Sequence, residues 1–380
     1  MKLTSVFKRF FESEQSAGLI LVFCTIFSLM LANSLRAHSY LNMWMLPVAG
    51  NSITHWINDG LMAIFFLLIG LELKREIYIG ELSQPKHALL PVFAALGGIL
   101  VPAGIYTLFN WGTPYSAGAG IPMATDIAFS LGILSLLGNK VPPTLKVFLA
   151  ALAITDDLGA ILVIAFFYTG TLSWFYLAAS LGIFFLLLLL NKLRVNLFLP
   201  YLIGGIAMWY FMLHSGVHAT ITGVLLAFAL PFGNGNKQTL SFKTEKALHF
   251  PVSYFILPLF ALANTAIPIT QDWHTTLTES YSLGIALGLI IGKPLGIILF
   301  SYLVTYMGLA SFSRGLNFKN LLGIGMLGGI GFTMSIFICL LAFKDPEVIN
   351  GAKISILLAS FIIGLTGFLY LKFTLHTQKK

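Results

Sequence analysis

Long apolar runs recur from one end of the chain to the other, and they restrict its fold more than any other feature. A bilayer core about 30 Å thick is crossed by roughly 20 residues of helix. Only 9% of the 380 residues are charged, whereas soluble domains carry about 25%. The sequence therefore predicts an all-α polytopic membrane protein and excludes a soluble globular domain.

Counting about 20 apolar residues for each span predicts twelve transmembrane helices. They are expected near residues 16–32, 57–73, 88–109, 121–137, 144–168, 172–190, 199–213, 217–231, 248–268, 281–305, 321–343 and 352–372. The polar connections are short, so we expect residues 1–380 to form a single integral membrane domain.

The basic residues predict the orientation, because Lys and Arg are enriched in cytoplasmic loops. With the N-terminus inside, 18 of the 22 Lys and Arg residues fall on the inner side. Arg36, Lys344 and Lys353 fall outside, and Lys293 lies within the tenth span. Both termini are expected in the cytoplasm. The net charge of +8 is spread over these short loops, so it does not indicate a nucleic-acid-binding face.

Two adjacent carboxylates, Asp156 and Asp157, interrupt the apolar run ALAITDDLGAILVIAFF. A charge at the centre of a bilayer costs about 2.5–3.5 kcal/mol on insertion scales. Such a pair needs a cavity, a counter-charge or a bound cation, which favours a cation or proton site. The alternative is a structural buried pair at a helix end.

The fourth and eleventh predicted spans are poor helices. Pro122, Thr125 and Asp126 interrupt the fourth, and the eleventh reads GIGMLGGIGFTMSIF. Irregular backbone at membrane depth is tolerated where it is buried in protein or lines a cavity. We therefore predict two discontinuous helices, with close packing through glycine as the alternative. The two spans cross in opposite directions, so spans 3–5 and 10–12 can form an inverted repeat.

Lys293 lies in the tenth span among glycines that recur every fourth residue. A lysine inside a bundle needs a partner, and either Asp156 or Asp157 is suitable. The alternative is that it reaches the membrane surface. The carboxylates of Asp156 and Asp157, together with Asp126 and Thr125, would form a site whose ligands are all oxygen. Such a site suits a small hard cation and no soft metal.

The chain closely resembles the bacterial NhaA-type sodium/proton antiporters over nearly its full length. The strings that carry the resemblance are LMAIFFLLIGLELKRE (61–76), IPMATDIAFSLG (121–132), ALAITDDLGAI (151–161), SGVHATITGV (215–224), LIIGKPLGI (289–297) and GGIGFTMSIF (328–337). This family is itself a standard example of inverted-repeat transporters, so the resemblance adds no independent support for the repeat.

The resemblance implies a pH-regulated antiporter of the bacterial inner membrane that exports Na⁺ or Li⁺ in exchange for H⁺ by alternating access. Cation and protons would compete for Asp156 and Asp157. Asp126 and Thr125 would lie at the helix crossing, and Lys293 would be the charge partner of Asp156. No cofactor and no enzymatic activity are implied.

The resemblance also assigns pH sensing to a set of charged and histidine residues: Glu72, Glu76, Glu245, His249 and His218. For Glu72 and Glu76 the alternative is interfacial charges that balance Lys74 and Arg75. Thr155 stands where an aliphatic residue is usual, and Lys246 where a histidine can occur. The loop from Asn33 to Trp56 is shorter than the family's β-hairpin, which makes the implied homodimer less secure.

Other functional classes remain to be weighed against antiport. An intramembrane aspartyl protease also needs two carboxylates, but its YD and GxGD-type motifs are absent from this sequence. A proton-coupled transporter of another solute, or a passive cation channel, would share the same membrane fold. Proton movement driven by Na⁺ would separate an antiporter from a channel.

Overall fold

The computed structural model describes residues 14–233, 235, 238–269, 273–312 and 316–377, and these are almost entirely helical. The first part of the chain contains helices and one small hairpin. These are α1 (Glu14–Ala32), α2 (Ala37–Met45), β1 (Pro47–Val48), β2 (Asn51–Ser52), α3 (Ile53–Ile79), α4 (Pro85–Asn110), a 3₁₀ helix (Ser116–Met123), α5 (Ile127–Leu136) and α6 (Pro143–Phe167).

The rest of the described chain is helical as well. Its elements are α7 (Trp174–Lys192), α8 (Phe198–Leu213), α9 (Ile221–Ala229), α10 (Leu240–Asn264), α11 (Trp273–Thr278), α12 (Ser280–Tyr306), α13 (Phe318–Gly328), α14 (Phe332–Ala342) and α15 (Pro346–Thr377). Short π-helical turns occur in α3 at Trp56–Leu61, in α10 at Val252–Ile256 and in α12 at Gly288–Gly292.

Among the described residues, eight helices are long and apolar enough to cross a membrane, or ten if two bent pairs each count as one span. The bent pairs are α1 with α2, and α13 with α14. The shorter helix α8 is also apolar. The prediction of an all-helical polytopic membrane protein is confirmed at this level.

The chain divides into two compact units. The first contains residues 1–38, 84–160 and 264–380, and the second contains residues 39–83 and 161–263. In the first unit α4 crosses α12 at two glycines. A Cβ atom on Gly97 or on Gly296 would collide with the carbonyl oxygen of the other. Only glycine allows so close an approach, and small residues at such crossings are typical of membrane helices.

The second unit is centred on the packing of α3 against α9. Gly223 lies directly against the backbone of α3, and Gly70 faces Ala227 and Val224 of α9. Beside this contact the buried side chains of Leu71, Leu187 and Tyr201 form an apolar core. The second unit therefore uses the same small-residue packing as the first.

Several predicted boundaries differ from the structure, and the eighth and ninth spans show the reasons. The eighth predicted span, 217–231, contains only nine helical residues, because the hydroxyl of Ser215 accepts the N–H of Val217 in a turn and Leu230 is extended. The ninth begins earlier than predicted. Thr239 caps α10 by accepting the N–H of Phe242, so polar residues before the apolar run are helical too.

The loop between α1 and α3 contains the short helix α2 and the two-residue strands β1 and β2, which pair in antiparallel fashion. Ala49 and Gly50 form the turn with positive φ angles of 49° and 89°. This hairpin is as small as the loop length suggests. The termini used for the orientation prediction include residues outside the described chain, namely 1–13 and 378–380.

Candidate ion-binding site

The fourth predicted span is interrupted in its middle. The 3₁₀ helix that contains Pro122 ends at Met123, and Ala124 is extended with φ −85° and ψ 151°. Helix then resumes after Asp126, which is the N-cap of α5. Residues 124–126 thus run as extended backbone, as the polar residues in this span predicted.

The eleventh predicted span is interrupted in the same way. Helices α13 and α14 are separated by residues 329–331 and meet at 47°. A Cβ atom added at Gly329 would clash with the carbonyl oxygen of Leu289, at 2.5 Å. The glycines of this stretch therefore allow the break and the close contact of its backbone with α12.

Asp126 connects the two breaks. One carboxylate oxygen accepts the N–H of Phe129 at 3.0 Å, which caps α5. The other accepts the N–H of Thr333 at 3.1 Å and its hydroxyl at 2.6 Å, at the start of α14. Two helix N-termini, each with a partial positive charge, thus face one buried carboxylate.

The opposite helix ends present carbonyl oxygens at the crossing. The hydroxyl of Ser130 donates to Leu327 O at 2.8 Å, and the N–H of Asp126 donates to Ile330 O at 2.7 Å. In the reverse direction, the Ser335 hydroxyl donates to Ile121 O at 2.7 Å. Each broken span therefore satisfies carbonyl groups of the other, as buried backbone requires.

Lys293 and Asp156 form a buried ion pair beside this crossing. The Lys293 ammonium lies 2.7 Å from Asp156 Oδ2, and both side chains are 0% exposed. Lys293 also donates to the carbonyl oxygen of Met123, at the end of the 3₁₀ helix. Of the two possible partners, the structure selects Asp156, and the alternative that Lys293 reaches the membrane surface is wrong.

Asp156 Oδ2 has a second donor. The hydroxyl of Thr125 lies 2.7 Å from it and 2.7 Å from Gly328 O. Within the described part of the chain, Asp156 Oδ1 is buried and accepts no hydrogen bond. A buried carboxylate oxygen without a donor costs free energy, which a proton or a cation can relieve.

Asp157 is also buried, with 2% of its surface exposed. Neighbouring residues of a helix point about 100° apart, so Asp156 and Asp157 leave α6 in different directions. The Thr155 hydroxyl donates within α6 to Ala151 O at 2.7 Å. The hydroxyl of Thr155 therefore contacts the backbone of its own helix. Thr155 is a residue at which the sequence departs from the family.

Four of the five proposed pH-sensing residues lie on α3 and α10 in the second unit. Arg75 Nη1 is 2.7 Å from Glu245 Oε1, and Arg75 Nη2 is 3.6 Å from Glu76 Oε1. Glu72 lies one turn before Glu76 on α3, and His249 is exposed one turn after Glu245 on α10. The fold thus places α3 carboxylates against α10, around an arginine.

His218 is placed at a different contact. Its Nε2 atom is 2.9 Å from the carbonyl oxygen of Tyr168. A carbonyl only accepts, so this nitrogen carries the hydrogen. His218 thus contacts a backbone carbonyl, whereas α3 and α10 are joined by the ion pair of Arg75 and Glu245.

Sequence reasoning missed several residues of these two regions. Arg75 was read only as a loop charge, although its position between Glu72 and Glu76 was a usable signal. Ser130 and Thr333 were not selected because each needs a partner about 200 residues away in sequence. Among the described residues, no group of three or more His, Cys, Asp and Glu side chains is arranged to hold a metal ion.

The chain is similar to known proteins over nearly its full length. The chain is 62% identical to the Na⁺/H⁺ antiporter NhaA of Flavobacterium psychrophilum, over 99% of this chain and 98% of that relative. It is 60% identical to Na⁺/H⁺ antiporter NhaA 1 of Flavobacterium johnsoniae, over the full length of both. Identity to NhaA of Dechloromonas aromatica is 55%, over 98% of this chain and 97% of that relative.

A solved structure shares the fold. The sodium proton antiporter MjNhaP1 from Methanocaldococcus jannaschii, solved at pH 8, superposes with a TM-score of 0.55 at 15% identity. The match covers 97% of this chain and 100% of that one. The sequence profile of the family described as Na⁺/H⁺ antiporter 1 matches residues 8–371. The chain therefore belongs to the Na⁺/H⁺ antiporter 1 family.

Proposed function

We propose that this protein is a pH-regulated antiporter that exports Na⁺ in exchange for H⁺. Its relatives carry the name Na⁺/H⁺ antiporter at up to 62% identity over nearly the whole chain. The relatives are named as transporters, which supports binding and release of small cations as the activity. We propose no enzymatic activity.

The observation that carries this proposal is the buried carboxylate of Asp156. One of its oxygens accepts from Lys293 and Thr125, and the other accepts no hydrogen bond among the described residues. A proton or a Na⁺ ion can bind there, but both cannot use the same lone pairs at once. This competition would couple cation release to proton uptake.

We assign the remaining site residues from their positions. Asp157 supplies the second carboxylate for Na⁺ and protons, one residue further along α6. Thr125 supplies a neutral oxygen, and Asp126 holds the two helix breaks in register. When no Na⁺ is bound, the ammonium of Lys293 is the charged partner of Asp156. When Na⁺ binds, it takes the place of this ammonium.

For the architecture we propose twelve spans in one transporter domain, with spans 3–5 and 10–12 as an inverted repeat. The reciprocal hydrogen bonds support this repeat: Ser130 binds Leu327 O, and Ser335 binds Ile121 O. Alternating access would then expose the site to each side of the membrane in turn. The distribution of Lys and Arg supports an orientation with both termini in the cytoplasm. Membership of a bacterial antiporter family supports a location in the inner membrane.

Regulation by pH is assigned to Glu72, Glu76, Glu245 and His249, with His218 as a separate contributor. The Arg75–Glu245 ion pair supports this, because it joins α3 to α10 through a carboxylate whose charge depends on pH. Protonation of a carboxylate in the pair would weaken the contact. A change in cytoplasmic pH would in this way alter the packing of two helices.

We further propose that Li⁺ can be exchanged for H⁺ in place of Na⁺ and that no cofactor takes part. Both ions are hard cations that prefer oxygen, and the groups at the site are carboxylates, a hydroxyl and backbone carbonyls. The hairpin β1–β2 is an exposed element through which a homodimer could form.

The test uses proteoliposomes with an acidic interior and a fluorescent probe of the pH difference. Na⁺, Li⁺ or K⁺ is added outside across pH 6.5–8.5 for the wild type and for Asp156→Asn. We expect Na⁺ and Li⁺ to collapse the pH difference in the wild type only. No response to any cation, from protein shown to be folded, would reject antiport and favour a proton-coupled transporter of another solute.

A passive cation channel is distinguished by the same preparation. A channel would carry radioactive Na⁺ into vesicles without moving protons, even when no pH difference is present. The antiporter predicts that Na⁺ uptake is accompanied by proton efflux. Na⁺ uptake without any proton efflux would therefore identify a channel.

A further inference from the structure

An apolar groove with a volume of about 480 Å³ lies on the side of the first unit. Helices α1, α5 and α15 form its walls, and Phe129 and Phe332 lie at its inner side. Its two hydroxyl groups are both used within the protein. Thr25 donates to Leu21 O, and Ser360 accepts the N–H of Phe332. The groove thus presents only hydrocarbon, which predicts an apolar occupant.

The length of the groove matches one leaflet of a bilayer. Along α15 it extends from Leu357 to Phe368, which corresponds to roughly 16 Å at about 1.5 Å per residue. Half of a hydrocarbon core about 30 Å thick has nearly the same depth. A single acyl chain that follows the helix would therefore fill the groove from the leaflet surface to the bilayer centre.

A positive charge stands at one end of the groove. Lys372 is exposed one turn beyond Phe368, and its ammonium lies 6.0 Å from the centre of that ring. One turn of helix adds about 5–6 Å, which carries the ammonium past the hydrocarbon and into the headgroup layer. The charge is thus placed where the phosphate of a lipid would lie if its chain filled the groove.

We propose that this groove binds one anionic phospholipid, with an acyl chain between α1, α5 and α15 and its phosphate on Lys372. The chain end would touch Phe129 and Phe332, whose rings pack edge to face at 5.6 Å. These rings stand on the first turns of α5 and α14, directly after the two helix breaks. The bound lipid would therefore stabilise one arrangement of the crossing, independently of which ion is exchanged.

The test measures lipid retention directly and does not use transport. Purified protein is stripped of lipid in detergent and exposed to phosphatidylglycerol or phosphatidylcholine, and retained lipid is counted by native mass spectrometry. Leu365→Trp places an indole in the groove at a lipid-facing position. Lys372→Gln removes the charge. Lys192→Gln is the matched control, because Lys192 is also an exposed lysine towards the C-terminal end of an apolar helix.

We expect one phosphatidylglycerol to be retained by the wild type and by Lys192→Gln. Lys372→Gln should retain it about fivefold more weakly, since one lysine near the surface contributes about 1 kcal/mol to binding an anionic lipid. Leu365→Trp should lose retention of both lipids. Equal retention by all four proteins would overturn the groove, and equal retention of the two lipids by the wild type would overturn the headgroup assignment.

Discussion

Lys74 in the second unit and Lys293 in the first are both buried, and they are held by different kinds of oxygen. Lys74 in the second unit donates to the carbonyl oxygens of Ala227, Phe228 and Leu230, at 3.2, 2.9 and 2.6 Å. These carbonyls end α9, where the helix dipole favours a positive charge. Lys293 in the first unit is instead paired with the carboxylate of Asp156 at 2.7 Å.

The difference separates a permanent contact from an exchangeable one. Backbone carbonyls do not take up protons in the physiological pH range. The partners of Lys74 therefore remain hydrogen-bond acceptors at every working pH. The carboxylate of Asp156 can be protonated, and under the proposed function it binds a cation in place of the lysine. On that proposal, a buried ammonium stabilises the fold in the second unit and takes part in a competition in the first.

The strongest test of this contrast is the removal of a site carboxylate. Asp157→Asn should abolish Na⁺-driven proton movement while leaving the protein folded, because an amide cannot exchange a proton for a cation. The probe assay in proteoliposomes measures this, with Glu347→Gln as a control at an exposed carboxylate. Retained exchange with normal cation affinity would contradict the proposed role of Asp157.

A second test compares the two lysines directly. Lys293→Met leaves a buried carboxylate without its partner and should lower the free energy of unfolding by roughly 3–5 kcal/mol. Adding Asp156→Asn should restore much of this loss. Lys74→Met leaves carbonyls without a donor and should cost roughly 1–3 kcal/mol.

Thermal unfolding in detergent follows all of these variants. Since Lys74 donates to backbone carbonyls in the second unit, Lys74→Met should retain exchange per folded molecule. If Asp156→Asn failed to rescue Lys293→Met, the two side chains would not form the dominant pair at this position. Rescue of Lys74→Met by the same aspartate change would remove the distinction between the two lysines.

The third test compares a threonine that contacts Asp156 with a threonine that donates within its own helix. Thr125→Val removes the hydroxyl that faces Asp156, and we expect Na⁺ affinity to fall roughly 5- to 10-fold, the equivalent of one hydrogen bond of about 1–1.5 kcal/mol. Thr155→Val removes a hydroxyl that binds only Ala151 O within α6 and should change affinity by less than twofold. Apparent Na⁺ KM values from the probe assay decide this, and equal effects would contradict it.

The smallest effect is expected at the charged cluster of the second unit. Arg75 is 36% exposed, so Arg75→Gln should lower the free energy of unfolding by less than about 1 kcal/mol. The pH at which exchange is half-maximal should change by less than about one unit. A pH profile identical to that of wild type, measured across pH 6.5–8.5, would separate this cluster from regulation.

The sequence alone determined the class of the molecule. Twenty-residue apolar runs can be buried only as membrane helices, because every backbone group must find a partner within its own segment. Pro122, Asp126 and the glycines around Gly329 marked both helix breaks. Asp156, Asp157 and Lys293 were identifiable because charges inside such runs are costly unless they are paired or bind ions.

Only the tertiary structure decided how these groups meet. The pairing of Lys293 with Asp156 depends on how α6 and α12 are rotated, and periodicity leaves that rotation open. The contact of Asp126 with Thr333 joins residues far apart in sequence, as does that of Arg75 with Glu245. Hydropathy fixes which segments are buried, whereas side-chain contacts depend on packing between segments, and that packing determines the chemistry of the site.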